Sequence, residues 1–148
     1  MKVKLFETSF FTLLSLATLI ACHTSGCGGN TDADKEKTEV VTARAWLSVI
    51  DQSNYLESWK ESAPLFQGAI AETNWETSLA TFRKPLGNVL SRELKSAQSQ
   101  AQIPGAPDGQ YVVMQFETSF ANKKSAVETV TVGPKQDGQW KVSGYYIK

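Results

Sequence analysis

Tyr111-Val112-Val113-Met114-Gln115-Phe116-Glu117-Thr118-Ser119-Phe120 is the stretch on which the fold turns. Val112, Met114, Phe116 and Phe120 share one parity, the pattern of a strand with one buried face. Downstream, Ala126, Val130 and Val132 predict a second strand, with Glu128 on the same face, closed by Gly133-Pro134-Lys135-Gln136-Asp137-Gly138. A last strand carries Trp140, Val142 and Tyr146. Upstream, Leu90, Arg92 and Leu94 alternate with Ser91, Glu93 and Lys95, which predicts a strand before the loop Ile103-Pro104-Gly105-Ala106-Pro107-Asp108-Gly109.

Before Gly87 the period is helical. Val40, Ala43, Trp46, Leu47 and Ile50 predict an amphipathic helix over 39–51. Gln52-Ser53-Asn54 interrupts it, and Ser53 or Asn54 is suited to cap a second helix. Tyr55, Trp59, Ala63, Phe66 and Ile70 continue the periodicity, but Pro64 predicts a kink or a break into two short helices near Ala63. Thr73-Asn74-Trp75-Glu76 matches a capping box and opens a helix through Leu79 and Phe82, ended by Pro85 and Gly87. Helices first, then four sequential strands, give an α+β domain with the helices packed on one face of an antiparallel sheet.

The amino terminus sets an address. Lys2 and Lys4 precede the apolar run from Phe10 to Ile20, too short to span a bilayer and suited to a secretory leader. Leu19-Ile20-Ala21-Cys22 resembles the lipobox of bacterial lipoproteins, in which the Cys takes a diacylglycerol and the leader is cut before it. Two rivals stay open: modification at Cys27, and cleavage by an ordinary signal peptidase that leaves Cys22 and Cys27 to pair in an oxidising compartment. His23 stands where Asp would resemble an inner-membrane retention signal, which favours the outer membrane in a diderm host. The expected organisation is a signal peptide over 1–21, a flexible tether over 22–38 and one α+β domain over 39–148. That domain, roughly 110 residues, suits a single core.

The 148-residue chain holds 15 basic and 15 acidic side chains; without Lys2, Lys4 and Glu7, 13 and 14 remain. A balance this close to zero gives no electrostatic reason to expect nucleic acid as a partner. His23 is the sole histidine, and both cysteines precede the expected domain. The domain therefore offers no Ser-His-Asp or Cys-His nucleophile and no usual zinc set. No glycine-rich nucleotide fingerprint follows a strand, so neither a metal nor another cofactor is expected and no residue is assigned as catalytic.

The polar residues that parity places among apolar ones are Arg92, between Leu90 and Leu94, and Glu128. A guanidinium and a carboxylate directed toward the helices need each other or a ligand. A buried Arg92–Glu128 pair and a pocket that orients a ligand are the two readings. Arg83 reads as an exposed or helix-terminal charge. Of Tyr145 and Tyr146, parity makes Tyr146 the core or pocket residue and Tyr145 the more exposed. Trp46, Trp59, Trp75 and Trp140 read as core aromatics.

Ala45-Trp46-Leu47, Asp51-Gln52-Ser53-Asn54-Tyr55, Ser58-Trp59, Arg83-Lys84-Pro85-Leu86-Gly87, Pro104 through Tyr111, Phe116 through Phe120, Glu128-Thr129-Val130 and Gly138-Gln139-Trp140 through Tyr146 carry a resemblance. Over about residues 40 to 148 the chain is similar to an uncharacterised bacterial family, the domain of unknown function numbered 4019. The resemblance implies no activity. Its helix-then-sheet order implies a curved four-stranded sheet in the cystatin-like, nuclear-transport-factor-type cone. Enzymes on that cone, such as ketosteroid isomerase and scytalone dehydratase, use Asp, Tyr or His in the pocket, and their motifs do not match here residue by residue.

The expectation is an envelope lipoprotein, held to the membrane by acylated Cys22 and facing the periplasm. Its domain is expected to bind a small ligand or an envelope protein without catalysing a reaction. The alternative is an isomerase or hydratase that uses a carboxylate or Tyr in the cone's pocket. Such an enzyme requires a carboxylate in a deep pocket, away from any Arg. A homodimer through an exposed apolar sheet face, with Tyr111 and Val113 in the patch, is a further option.

Overall fold

The structure, a computed structural model, describes residues 37–133 and 137–148. The leader, Cys22, Cys27 and nearly all of the expected tether lie outside the described residues. Helix α1 (Thr38–Asp51) opens one residue before the expected start and buries Val40, Ala43, Trp46, Leu47 and Ile50. Ser53 turns the chain with φ +62°. Helix α2 (Tyr55–Glu61) comes next, and Asn54 makes no side-chain cap bond, contrary to expectation. Its carbonyl accepts from the Ser58 N–H instead, which starts the helix without it.

Pro64 divides the next segment as its missing N–H requires: α3 (Pro64–Ala69) begins with Pro in its first turn. The break has a second use, because the freed Ala63 N–H donates to the Val142 carbonyl at 2.7 Å. Helix α4 (Glu72–Phe82) starts two residues ahead of the expected capping box, with Ala71 rather than Thr73 at its N-cap. Ala71 is already extended, and its carbonyl accepts from the Trp75 N–H at 3.0 Å. Thr73 thus lies inside the helix, where its carbonyl accepts from the Thr77 hydroxyl. A 3₁₀ turn at Lys84–Leu86 and Gly87, at φ +77°, end the helical half.

Strands β1 (Val89–Gln100), β2 (Tyr111–Phe120), β3 (Lys123–Val132) and β4 (Val142–Ile147) form one antiparallel meander in sequence order. One face of β2 and β3 buries Val112, Met114, Phe116, Thr118 and Phe120 with Ala126, Glu128, Val130 and Val132. The opposite face is polar: the Lys95 ammonium reaches Glu93 at 2.9 Å and Glu117 at 3.0 Å. Helices therefore cover one face, as in an α+β layer pair. The core joins the stripes of α1, α3 and α4 to β2, β3 and Val142. Trp46, Phe66, Trp75 and Tyr145 meet mainly edge to face, with centroids 4.9 to 6.2 Å apart. Ser58 anchors two of them, its carbonyl taking the Trp46 indole N–H at 2.7 Å and its hydroxyl that of Trp75 at 3.0 Å.

Register shifts correct the parity argument at three residues. One falls between Val89 and Ser91, and Leu90, the extra residue, is exposed rather than aligned with Arg92 and Leu94. Another falls where Thr131 pairs with Gly144 but Val132 with Val142, so Ser143 is extra on β4. That one residue swaps the final tyrosines: Tyr145 turns inward and Tyr146 is 62 % exposed. Tyr111 departs from its expected face for a different reason. The 101–110 loop covers it, its hydroxyl donates to the Pro107 carbonyl at 2.8 Å, and it is buried rather than part of a surface patch.

Candidate functional site

Two features stand out, a buried ionic cluster and an open groove, and Tyr145 belongs to both. The cluster starts at Asp51, the last residue of α1. Its carboxylate accepts both terminal nitrogens of Arg92, Nη1 at 2.7 Å and Nη2 at 3.0 Å, and Arg83 Nη2 at 2.8 Å. Arg92, on β1, also donates Nε to Glu128 Oε2 at 2.7 Å. On β2, Thr118 donates its hydroxyl to the same oxygen, and the Tyr145 phenol on β4 donates to Oε1, each at 2.7 Å. Arg83 Nη1 closes the other end on the Gly87 carbonyl at 2.9 Å, and its guanidinium stacks 4.3 Å from the Phe120 ring centroid. Five elements and the turn after α4 thus place two guanidinium groups against two carboxylates.

The structure brings Arg92 and Glu128 together and leaves Tyr146 outside. Arg83 is the clearest correction, 4 % exposed rather than a surface charge. Asp51, Thr118 and Tyr145 escape a reading based on parity and chemistry alone. Two of the new members have a legible signal. Asp51 lies four residues after Leu47, and Arg83 four after Leu79, so each extends an apolar helical stripe by one step.

The electrostatics derive from this packing. Burial opposes the Arg92 charge, but the hydrogen bonds to Asp51 and the negative charge of Glu128 outweigh it and push its pKa up. Burial pushes the Tyr145 phenol well above its usual range, and the Glu128 charge and hydrogen bond add to the effect. The phenol is therefore a fixed donor at neutral pH. Both Glu128 oxygens are engaged, and the residue is fully buried. This cluster holds charge in place; it has no carboxylate oxygen turned toward a cavity from which to move a proton. Among the described residues, no group of three or more His, Cys, Asp or Glu is placed to hold a metal.

The groove is formed by α4 and the end of β4, with a volume of about 540 Å³. Trp75, Leu79 and Phe82 wall it from the helix; Tyr145, Tyr146 and Ile147 wall it from the strand. Phe82 is 69 % exposed at its rim. Lys123 and Lys148 also border it, and among the described residues no carboxylate side chain does. A concavity of this size and apolar character suits binding of a ligand or chain segment.

The model of a family described as "Protein of unknown function (DUF4019)" matches residues 42–145. That span takes in all four helices but for the first turn of α1, and the sheet to Tyr145. No curated protein matches the chain.

Proposed function

We propose, from the premise that the chain belongs to the DUF4019 family, that it is an envelope lipoprotein whose single α+β domain binds a partner and catalyses no reaction. The observation that carries this reading is the makeup of the groove. It is apolar, it exposes Phe82 and Tyr146, and the Asp51 and Glu128 carboxylates stand outside it. The isomerase or hydratase alternative needs a carboxylate free of arginine, whereas Glu128 is bound to Arg92 and Asp51 to both arginines. The anchor in this proposal is Cys22, on the strength of Leu19-Ile20-Ala21-Cys22, and two acyl chains on one thioether give lasting membrane attachment. We read the layering of helices on one face of an antiparallel meander as the cystatin-like, nuclear-transport-factor-type cone. The strand bulges support that reading, since each bends and twists its strand.

The test is titration of the full chain with 8-anilinonaphthalene-1-sulfonate, an apolar anion that fluoresces when taken up. The native chain is expected to enhance the dye, and Phe82→Ser and Tyr146→Ser to weaken it several-fold while leaving the melting temperature nearly unchanged, as both side chains are mostly in solvent. Dye binding indifferent to both substitutions would remove the groove as the functional surface.

A further inference from the structure

The floor of the groove is the free edge of the sheet. Among the described residues, β4 is the last strand in the order and pairs only with β3. The Lys148 N–H bonds the Val127 carbonyl at 3.1 Å, and the Val127 N–H bonds the Lys148 carbonyl at 3.0 Å. In an antiparallel ladder such doubly bonded pairs alternate with unbonded ones. Tyr146, opposite Thr129, and Gly144, opposite Thr131, therefore face β3 with their backbone groups. Tyr145 and Ile147 turn theirs the other way. No backbone bond from another element reaches either residue among the described residues. The backbone bond from the helical half to this strand falls at its opposite end, where the Ala63 N–H donates to the Val142 carbonyl, whereas Trp46 and Trp75 meet Tyr145 through side chains alone.

An edge with free N–H and C=O groups is a template for another strand. Here the template runs along an apolar groove. An alkyl chain would fill the apolar walls but leave the Tyr145 and Ile147 backbone groups unmatched; an extended peptide satisfies both. The two lysines bordering the groove add a charge preference for an acidic side chain.

We propose that the β4 edge takes an extended peptide segment of a partner protein as a fifth strand, with alternate apolar side chains in the α4–β4 groove and an acidic side chain at Lys123 and Lys148. The proposal rests on the binding-module reading and names the class of partner.

The test uses Ile147→Pro on the full chain. Proline removes the outward N–H and is tolerated on an edge strand when that N–H is not needed by the ladder, so β3–β4 pairing survives. A phage-displayed library of random octapeptides is panned on the native chain, and the strongest sequence is synthesised. Enriched sequences are expected to alternate apolar with polar residues and to carry Asp or Glu. The synthetic peptide should bind the Pro variant at least tenfold more weakly, bind Lys123→Glu several-fold more weakly, and slow hydrogen exchange at the Tyr145 and Ile147 amides. No enrichment, equal binding to the Pro variant, or unchanged exchange at those two amides overturns the proposal. Tight binding of dodecanoate, indifferent to Ile147→Pro, with no peptide enriched, replaces the strand with an acyl chain and leaves the binding-module reading standing. A concentration-dependent dimer that the Pro variant abolishes replaces the partner with a second copy. Loss of dye, dodecanoate and peptide binding together defeats both readings.

Discussion

Glu128→Gln tests the ionic cluster most directly. The carboxylate is fully buried and receives three hydrogen bonds, from Arg92, Thr118 and Tyr145, all at 2.7 Å. Gln is nearly the same size and keeps one acceptor oxygen, so the change removes charge rather than volume. Bonds to a charged group are worth about 1.5–3 kcal/mol each, against about 1 for neutral ones. Removing one member of a buried ion pair costs about 3–5 kcal/mol. Arg92 keeps its two bonds to Asp51, which places the expected loss at the lower end, about 3 kcal/mol. For a domain of roughly 110 residues, at about 4 °C per kcal/mol, the melting temperature should fall by about 12 °C. Circular dichroism melts of the full chain at pH 7, with and without about 1 M sodium chloride, measure it; a buried pair is screened little, so the difference should persist in salt. A double-mutant cycle with Arg92→Met should give a coupling of about 1–3 kcal/mol. A drop smaller than about 3 °C, or one that vanishes in salt, would refute the argument that this carboxylate neutralises the interior.

Further consequences can be measured on the same chain. Tyr145 has its pKa raised in the fold, so its contribution is whole below the ordinary tyrosine value and is lost as pH rises through the folded one. The stability advantage of the native chain over Tyr145→Phe should then shrink by about 1.4 kcal/mol per pH unit above about pH 10; melts at pH 9, 10 and 11 that show a constant difference count against it. Gly133 has φ +134°, and a Cβ there would meet the Gln110 carbonyl oxygen and Tyr111. Gly133→Ala should cost about 3 kcal/mol or more, while Gly68→Ala, in open space on α3, should add up to about 1 kcal/mol; urea midpoints compare the two. Cys22→Ser should release the protein from membranes in fractionated cells, and continued lipid labelling of that variant moves the anchor to Cys27.

Residues with a regular period reveal most about this fold. The stripe from Val40 to Ile50 and the alternation from Tyr111 to Phe120 each respond to one geometric repeat, and burial tracks it along both elements. Pro64 likewise divides α2 from α3 for a local reason, its missing N–H. The site was harder to read because it depends on departures from the repeat. One extra residue, Ser143, moves Tyr145 into the core and Tyr146 out of it, and a shift of that kind is set by pairing with β3 rather than by local composition. Arg92 and Glu128 were legible because each lies between apolar neighbours of its own parity. The signal at Asp51 and Arg83, one step beyond an apolar stripe, was weaker, because a charged residue at a helix end usually reaches water; here both guanidinium groups converge on Asp51, which is a quarter exposed. The groove depends on where α4 lies relative to the end of β4, a tertiary relation that no single segment encodes.

The distribution of the cluster along the chain also bears on the order of assembly. Asp51 and the two arginines precede residue 92 or end there, while the second carboxylate arrives 36 positions later. A polypeptide that emerges amino end first therefore exposes, for a time, a helical half and first strand with one anion of the cluster for its two cations. Glu128 restores neutrality only once β3 has been delivered, and Tyr145, 17 positions further on, completes its solvation shell. The native interior cannot be sealed by the helices alone, and a chain interrupted anywhere before β3 should remain open to water and to chaperones.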